Sequence, residues 1–446
     1  MIWNKFIIDP TFTVVETTHY PTSKIPFPAV IVCDTEMVYG PNTNSVKKIL
    51  VLRGFQNDQI DDFFRSLMDI KLTEYEIQPH VNKMHSILES LGYTYLDLLD
   101  MFKKPCEVLI EKCIWRSKLV NCTEMFRIVL TYVGYCCKFD LTYFSLHAEE
   151  GTNFAAGTEI TEALDITLNT DKYDSNGNKS DGYASLYVLD KDDNITILDN
   201  SIIITTGAYF DATITVWIMD SSADVKALSL SNRKCFLDTD SKTGATSYQN
   251  CMMNLVMKRI VEYCQCIPFD FDGSVLSVDN FPACSWGRLT CVYDSLEFVQ
   301  GNIREVVSRN DCHQNCDYIE YETEVEYLKR DRTIRIPRTN SRVTVHFEDN
   351  SCMKYRREVL YTWDQMLANL GGVFGLCLGG SIISIIEIVW FILDLVCTCC
   401  GNYKTDRVTP KSRGMVKEVF TISNKENNGK QLNRKENITP RFKFTH

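Results

Sequence analysis

The chain has 446 residues, 45% of them hydrophobic and 24% charged, with a formal net charge of −11. That balance excludes a many-span transporter, a disordered chain and a fibre, and its sign argues against nucleic acid as a partner. The 19 cysteines exceed the load of an ordinary cytosolic protein and point to an oxidising compartment.

The N-terminal stretch, MIWNKFIIDPTF, carries neither a signal peptide nor a spanning helix. An acidic, cysteine-rich chain needs something to carry it across a membrane, so a preceding segment is expected to be missing. From Asp34 to about Phe139 apolar residues recur at three- and four-residue steps, in DDFFRSLMDI and SILESLGYTYLDLLDMF, and predict helix. Residues 165–200, rich in Asp, Asn, Gly and Ser, read as a solvated loop. Within it, Asp190, Asp192 and Asn194 match the first three ligand positions of a calcium loop. Ile195 stands where that loop needs glycine and Ser201 where it needs glutamate, which excludes the site. Strand signals follow at SIIITT from Ser201, YFDATITVWIM from Tyr209 and SRVTVHFED from Ser341, where Val343, Val345 and Phe347 alternate with polar residues. Between them YQNCMMNLVMKRIVEYCQC and SLEFVQGNIREVVSRNDC predict two helices joined by a cysteine-bearing loop. The sum is an α+β fold, a sheet core decorated by helices. Sequons at Asn121, Asn178 and Asn194 fit an extracellular, glycosylated surface.

Between Asp364 and Glu387 lie 22 uncharged residues, QMLANLGGVFGLCLGGSIISII, followed by IVWFIL. Roughly 20 apolar residues cross a bilayer. Five glycines in ten residues (Gly371, Gly372, Gly375, Gly379, Gly380) would weaken a soluble helix by about 1 kcal/mol each. In a membrane small residues let helices approach closely and let backbone line a pore. Glu387, inside this stretch, is costly there unless it faces water or a partner, which makes it a candidate functional residue. Cys397, Cys399 and Cys400 follow the span at positions suited to palmitoylation. From Gly401 onward eleven Lys/Arg stand against four acids, a tail of +7 that leaves −18 for the rest of the chain. This asymmetry fits a basic cytosolic tail and an acidic exterior domain.

No enzyme emerges: the seven histidines form no H-E-x-x-H, and there is no nucleophile elbow and no phosphate-cradling loop. Cys264 with Cys266, and Cys312 with His313, lack the spacing of a structural zinc site, and disulfides account for them better. No cofactor and no metal is expected.

GLCLGGSIISIIE, from Gly375 to Glu387, resembles the second transmembrane helix of the degenerin/epithelial sodium channel family, G-L-F-L-G-A-S-hydrophobic-hydrophobic-S-hydrophobic-hydrophobic-E. IPFPAVIVC, from Ile25 to Cys33, resembles the family's I-P-F-P-A-V-T-I-C, and GYCCKFD from Gly134 its G-x-C-x-x-F-N element, with a doubled cysteine similar to the insect pickpocket branch. The resemblance implies a disulfide-rich extracellular domain, a β-sheet palm and ball with helical finger and thumb. Its domains are the outer end of a first membrane helix at 1–8, the ectodomain at 9–363, a pore-lining helix at 364–396 and a basic cytoplasmic tail at 397–446. It implies bridges Cys33 with Cys136, Cys113 with Cys122, Cys235 with Cys316, Cys251 with Cys312, Cys264 with Cys291 and Cys266 with Cys284, and a pickpocket-type bridge of Cys106 with Cys137. A further family bridge would join the positions held here by Leu255 and Asn310, both without cysteine, and Cys352 is left over.

Further, the resemblance implies a subunit of an amiloride-sensitive, stimulus-gated sodium channel of the plasma membrane, a homo- or heterotrimer with family subunits. Its partners would be membrane lipid and an extracellular ligand, with Na+ permeant and amiloride a pore blocker. Gly379, Gly380 and Ser381 would form the selectivity filter, Ala368, Ser384 and Glu387 would serve pore and gating, and Asp394 is expected to be interfacial. Ile31 replaces the family threonine, Gly380 replaces the filter alanine, and the first membrane helix with its His-Gly motif is absent. The rival reading is a non-conducting, single-pass receptor or adhesion protein.

Overall fold

The computed structural model describes residues 10–35, 38–70, 76–139, 163–173, 178–196, 199–240, 247–268, 281–302, 312–328, 340–379 and 382–401. The chain divides into two compact units, Met1–Met366 and Leu367–His446.

The first unit opens with strands β1 (Thr11–Pro21) and β2 (Ala29–Asp34), then helices α1 (Asn44–Leu52), α2 (Asn57–Asp69), α3 (Pro79–Ser90) and α4 (Tyr95–Phe102). Strands β3 (Ile110–Trp115), β4 (Lys118–Val120), β5 (Phe126–Thr131) and β6 (Gly134–Phe139) follow, then β7 (Leu164–Asn169), β8 (Lys172–Tyr173), β9 (Lys179–Ser180), β10 (Tyr183–Leu189), β11 (Ile202–Thr205) and β12 (Tyr209–Ser221). Helices α5 (Tyr248–Cys264) and α6 (Trp286–Gly301) precede β13 (Tyr318–Leu328), β14 (Asn340–Phe347) and β15 (Ser351–Val359).

Two sheets organise this unit. One has eight strands in the order β1-β15-β12-β14-β7-β3-β4, with β13 also paired to β12; the other has five in the order β11-β10-β2-β6-β5. Alternation on β12 sends Phe210, Ala212, Ile214, Val216 and Ile218 inward and leaves Tyr209, Asp211, Thr213, Thr215 and Trp217 on the opposite face. The inward set meets Val30, Val32, Phe139 and Leu186 of the five-stranded sheet in one core. Phe27, just before β2, is fully buried in it, its ring 4.9 Å from Trp115, 5.9 Å from Phe139 and 6.0 Å from Phe347.

The helices form a second core from α1 to α6, centred on Trp286. His85 stacks on its indole at 4.6 Å, and Tyr95 and Phe63 pack against it. Local signals set the helix ends. Thr94 and Asp97 form a capping box on α4, and Ser247 accepts from the Asn250 N–H to start α5.

Several expectations are corrected here. The helical reading of residues 34–139 holds only as far as Phe102, apart from two single turns; β3 to β6 take over because the chain beyond Phe102 has no sustained helical period and pairs across sheets instead. Residues 165–200 are not a plain loop but carry β7 to β10. Tertiary partners hold some of their polar groups inside, as where the guanidinium of Arg342 on β14 donates to both carboxylate oxygens of Asp165. The second thumb-like helix begins at Trp286, nine residues before the expected Ser295; the end of the expected stretch at 303–311, including Asn310, lies outside the described residues.

Candidate functional site

The Leu367–His446 unit holds most of the segment in which the filter and pore residues are expected. Helix α7 (Trp363–Leu378), which begins four residues before that unit, starts on a capping box. The Gln365 N–H donates to Thr362 Oγ1 and the Thr362 N–H to Gln365 Oε1, both at 3.3 Å. The helix ends at Leu378, where Gly379 takes a left-handed conformation (φ +60°), and a second helix, α8 (Ile382–Gly401), follows. Glycine is the residue that reaches this conformation without steric cost, which explains why one continuous span expected over 364–396 is two helices. Among the described residues no helix is long and apolar enough to cross a membrane.

Of the expected site residues, Ala368 lies exposed on α7, and Ser384 and Glu387 lie on α8. Steps of three and seven residues put Ser384, Glu387 and Asp394 on one face of α8. The other described side chains of that helix are large and apolar, and Ile383, Ile386, Val389, Trp390 and Leu393 are each at least half exposed. Gly380, Ser381 and the tail from residue 402 lie outside the described residues. So do the side chains of Cys397, Cys399 and Cys400, whose backbone continues α8.

In the first unit the structure joins Cys33–Cys136, Cys106–Cys137, Cys113–Cys122, Cys235–Cys316, Cys251–Cys312, Cys264–Cys291 and Cys266–Cys284, with Cα–Cα separations of 4.2–5.9 Å. These are the partners the resemblance implies. Cys352 is free and buried. It sits on β15 opposite Tyr20 and belongs to the core between the sheets, where a thiol packs as a small apolar side chain; burial pushes its pKa up and keeps it inert. Asn121, Asn178 and Asn194 are all exposed.

Sequence reasoning missed an acidic cleft of about 1,170 Å3. Asp190, Asp192, Asp193 and Asp199 after β10, Asp220 on β12, and Asp317, Glu320 and Glu322 on or near β13 line it, against Lys24, Lys191 and Lys354. Burial pushes Asp193 up to about 6 and raises Asp190, Asp199 and Glu320 above the usual carboxylate range. The Lys138 ammonium, its pKa lowered by burial, donates to the carbonyls of Lys191 and Asp193 at 3.0 Å each and pins the loop. The excess of carboxylates over lysines favours cations in the cleft, and burial holds the Asp193 proton more tightly than in a free carboxyl. Among the described residues no group of three or more His, Cys, Asp or Glu is arranged to hold a metal ion. The missed signal was the run Asp190, Asp192, Asp193 directly after a strand: Asp190 and Asp193 are half-buried beside the sheet, while Asp192 stays exposed.

The sequence profile of the family described as amiloride-sensitive sodium channel matches residues 1–391. The chain belongs to that family. Its members are channels and not enzymes, and the relatives place it among the insect degenerin/epithelial sodium channels. It is 22% identical over 412 residues to the sodium channel protein Nach of Drosophila ananassae, covering 86% of this chain and 76% of the relative. It is 21% identical over 432 residues to the Nach protein of Drosophila melanogaster, covering 89% and 78%. Pickpocket protein 11 of Drosophila melanogaster is 22% identical over 399 residues, covering 86% of this chain and 65% of that one.

Proposed function

We propose that this chain is a subunit of a trimeric, amiloride-sensitive, stimulus-gated sodium channel of the plasma membrane, with the disulfide-rich unit outside and the C-terminus in the cytosol. The observation that carries this reading is the family match over residues 1–391, which takes in the disulfide-rich unit, all of α7 and the first half of α8. Three copies, of one kind or with other family subunits, bring α7 and α8 together around a common axis. Gly379, Gly380 and Ser381 form the narrowest ring, where small residues let carbonyls and the Ser381 hydroxyl replace part of the water shell of Na+. The apolar flanks of α8 support contact with lipid and neighbouring helices. A carboxylate in hydrocarbon costs about 2.5–3.5 kcal/mol, so Ser384, Glu387 and Asp394 on one helical face are best explained by a shared aqueous path. Amiloride blocks that path, and acyl chains on Cys397, Cys399 and Cys400 meet the inner leaflet. An extracellular ligand acts on the first unit.

Current recording from oocytes expressing the full-length chain tests this. Ala368→Val, which wedges a larger side chain at the family's gating position, gives constitutive, amiloride-blocked sodium current, and Ser381→Cys changes the cation permeability ratios. Surface expression with no current in either variant refutes the reading and leaves the receptor or adhesion alternative.

A further inference from the structure

Among the described residues the eight-stranded sheet ends in three edge strands, and two of them are guarded by familiar means. On β1 the pairing to β15 is broken by register shifts between Val15 and Thr17 and between Thr17 and Tyr20. On β13 the exposed positions are Glu320, Glu322, Glu324 and Glu326, with Tyr327 beside them near the strand's end. Bulges and charges of this kind keep an open edge from pairing with another chain. The third edge, β4, pairs among the described residues only with β3. It has Lys118 as its single charge and shows Leu119 to water at 72% exposure. Leu119 lines a groove of about 850 Å3 with Ile114, Val120 and Asn121.

The residue directly after this edge is the sequon asparagine, Asn121, in N-C-T. Asn121 and Thr123 are both exposed, and Asn121 Oδ1 accepts from the Thr123 N–H at 3.3 Å. That contact occupies Oδ1 and leaves Nδ2, the atom to be modified, outside it. By contrast, in the sequon of Asn194 the hydroxyl-bearing Thr196 is buried and donates to Asp199.

We propose that Asn121 carries an N-linked glycan whose role is to cover the open β4 edge and Leu119. The oligosaccharide comes from a polyprenyl-pyrophosphate-linked donor: the anomeric carbon–oxygen bond to pyrophosphate breaks, a bond from that carbon to Asn121 Nδ2 forms, the amide gives up one proton, and polyprenyl pyrophosphate leaves. A hydrated sugar beside an edge strand blocks the approach of a second chain as a charge or a bulge does. The proposal rests on the extracellular placement of the first unit.

The full chain is expressed in insect cells as wild type, Asn121→Gln, Thr123→Ala and Thr123→Ser, each compared with and without peptide N-glycosidase. Wild type and Thr123→Ser lose one glycan more than Asn121→Gln and Thr123→Ala. The two variants without the sequon, one of which keeps the Asn121 side chain, show a several-fold fall in monodisperse protein in detergent. Leu119→Lys added to either restores it, because a charge replaces the sugar at the edge. An unmodified Asn121 in a chain glycosylated at Asn178 or Asn194 overturns the proposal alone, as do sequon variants as monodisperse as wild type, or a Leu119→Lys that fails to rescue. No glycan on any sequon, together with free thiols on the fourteen paired cysteines, overturns the extracellular placement as well.

Discussion

Replacing Phe27 by alanine tests whether the two sheets are one core. Phe27 is fully buried, and its ring meets Trp115 of β3 and Phe347 of β14 on the eight-stranded sheet and Phe139 of β6 on the five-stranded sheet, edge-on at interplanar angles of 76–83°. Phe→Ala in a core costs about 3–5 kcal/mol, the spread reflecting how well the site collapses. Here collapse is resisted on both sides by hydrogen-bonded strands, and three aromatic pairs, worth about 0.5–1.5 kcal/mol each, are lost together. The expected loss is therefore in the upper half of that range, about 4–5 kcal/mol, roughly a quarter or more of an ordinary domain's stability. Phe27→Leu, which keeps most of the volume, costs about 1.5 kcal/mol, and Phe12→Ala, at a 38% exposed position on β1, costs within about 0.5 kcal/mol. The assay is guanidinium unfolding of the purified full chain in detergent, followed by tryptophan fluorescence, since Trp115 lies against the ring. A Phe27→Ala loss below about 1.5 kcal/mol, or one equal to that of Phe27→Leu, refutes the idea that this ring ties the sheets together.

Three further outcomes are expected. Burial holds the Asp193 proton up to about pH 6 in the folded chain, whereas an unfolded aspartate releases it near pH ~3.9, so its contribution to stability is lost as pH rises between those values; Asp193→Asn should unfold at higher denaturant than wild type at pH ~7.5 and not at pH ~4. His85 behaves in the opposite sense: burial against Trp286 lowers it to about 4, so protonation of the unfolded chain removes stability as pH falls below ~6.5, and His85→Phe, which keeps a ring on the indole but cannot charge, should flatten the denaturant midpoint between pH ~6.5 and ~4. The β3–β4 turn places Arg116 and Ser117 at φ of +50° and +62°, a conformation that costs an L-residue about 1 kcal/mol, so Ser117→Gly should raise the unfolding free energy by about that amount, while Ser117→Val should lower it.

How much of this was legible in sequence follows from where the controlling contacts lie. Strand β12 and helix α5 were readable because their own alternation or helical period marks the residues they bury, β14 from the alternation of Val343, Val345 and Phe347, and β11 from its run of isoleucines. The I-P-F-P stretch was readable as a motif, but its reason, the seat of Phe27 between two sheets, is a matter of residues more than eighty positions away. Strands β3 to β10 were missed for the converse reason. Lys104 is buried with its ammonium donating to the carbonyls of Asn169 and Asp171, and Asp165 is matched by Arg342, so polar segments are held inside by partners that no local window contains. In the pore segment the glycines were read as allowing close helix approach and pore lining within one span, and only the left-handed Gly379 locates where α7 stops.

The doubled cysteine of β6 bears on how the central strands find their alignment. Cys136 and Cys137 are neighbours on one extended strand and so point to opposite faces. Cys136 meets Cys33, its cross-strand partner on β2, outside the sandwich, while Cys137 opposes Val32 and reaches Cys106 within the core. A slip of β6 by one residue against β2 would exchange the two faces, bringing Cys137 opposite Cys33 and turning Phe139 out of the core. Cys136 would then turn to the core face, but opposite Asp34, two residues along the strand from the place where Cys137 meets Cys106. Thiol–disulfide exchange thus acts as a proofreader of strand register: only the aligned pairing consumes all four sulfurs, and a misaligned chain is left with reactive thiols through which it can be resolved.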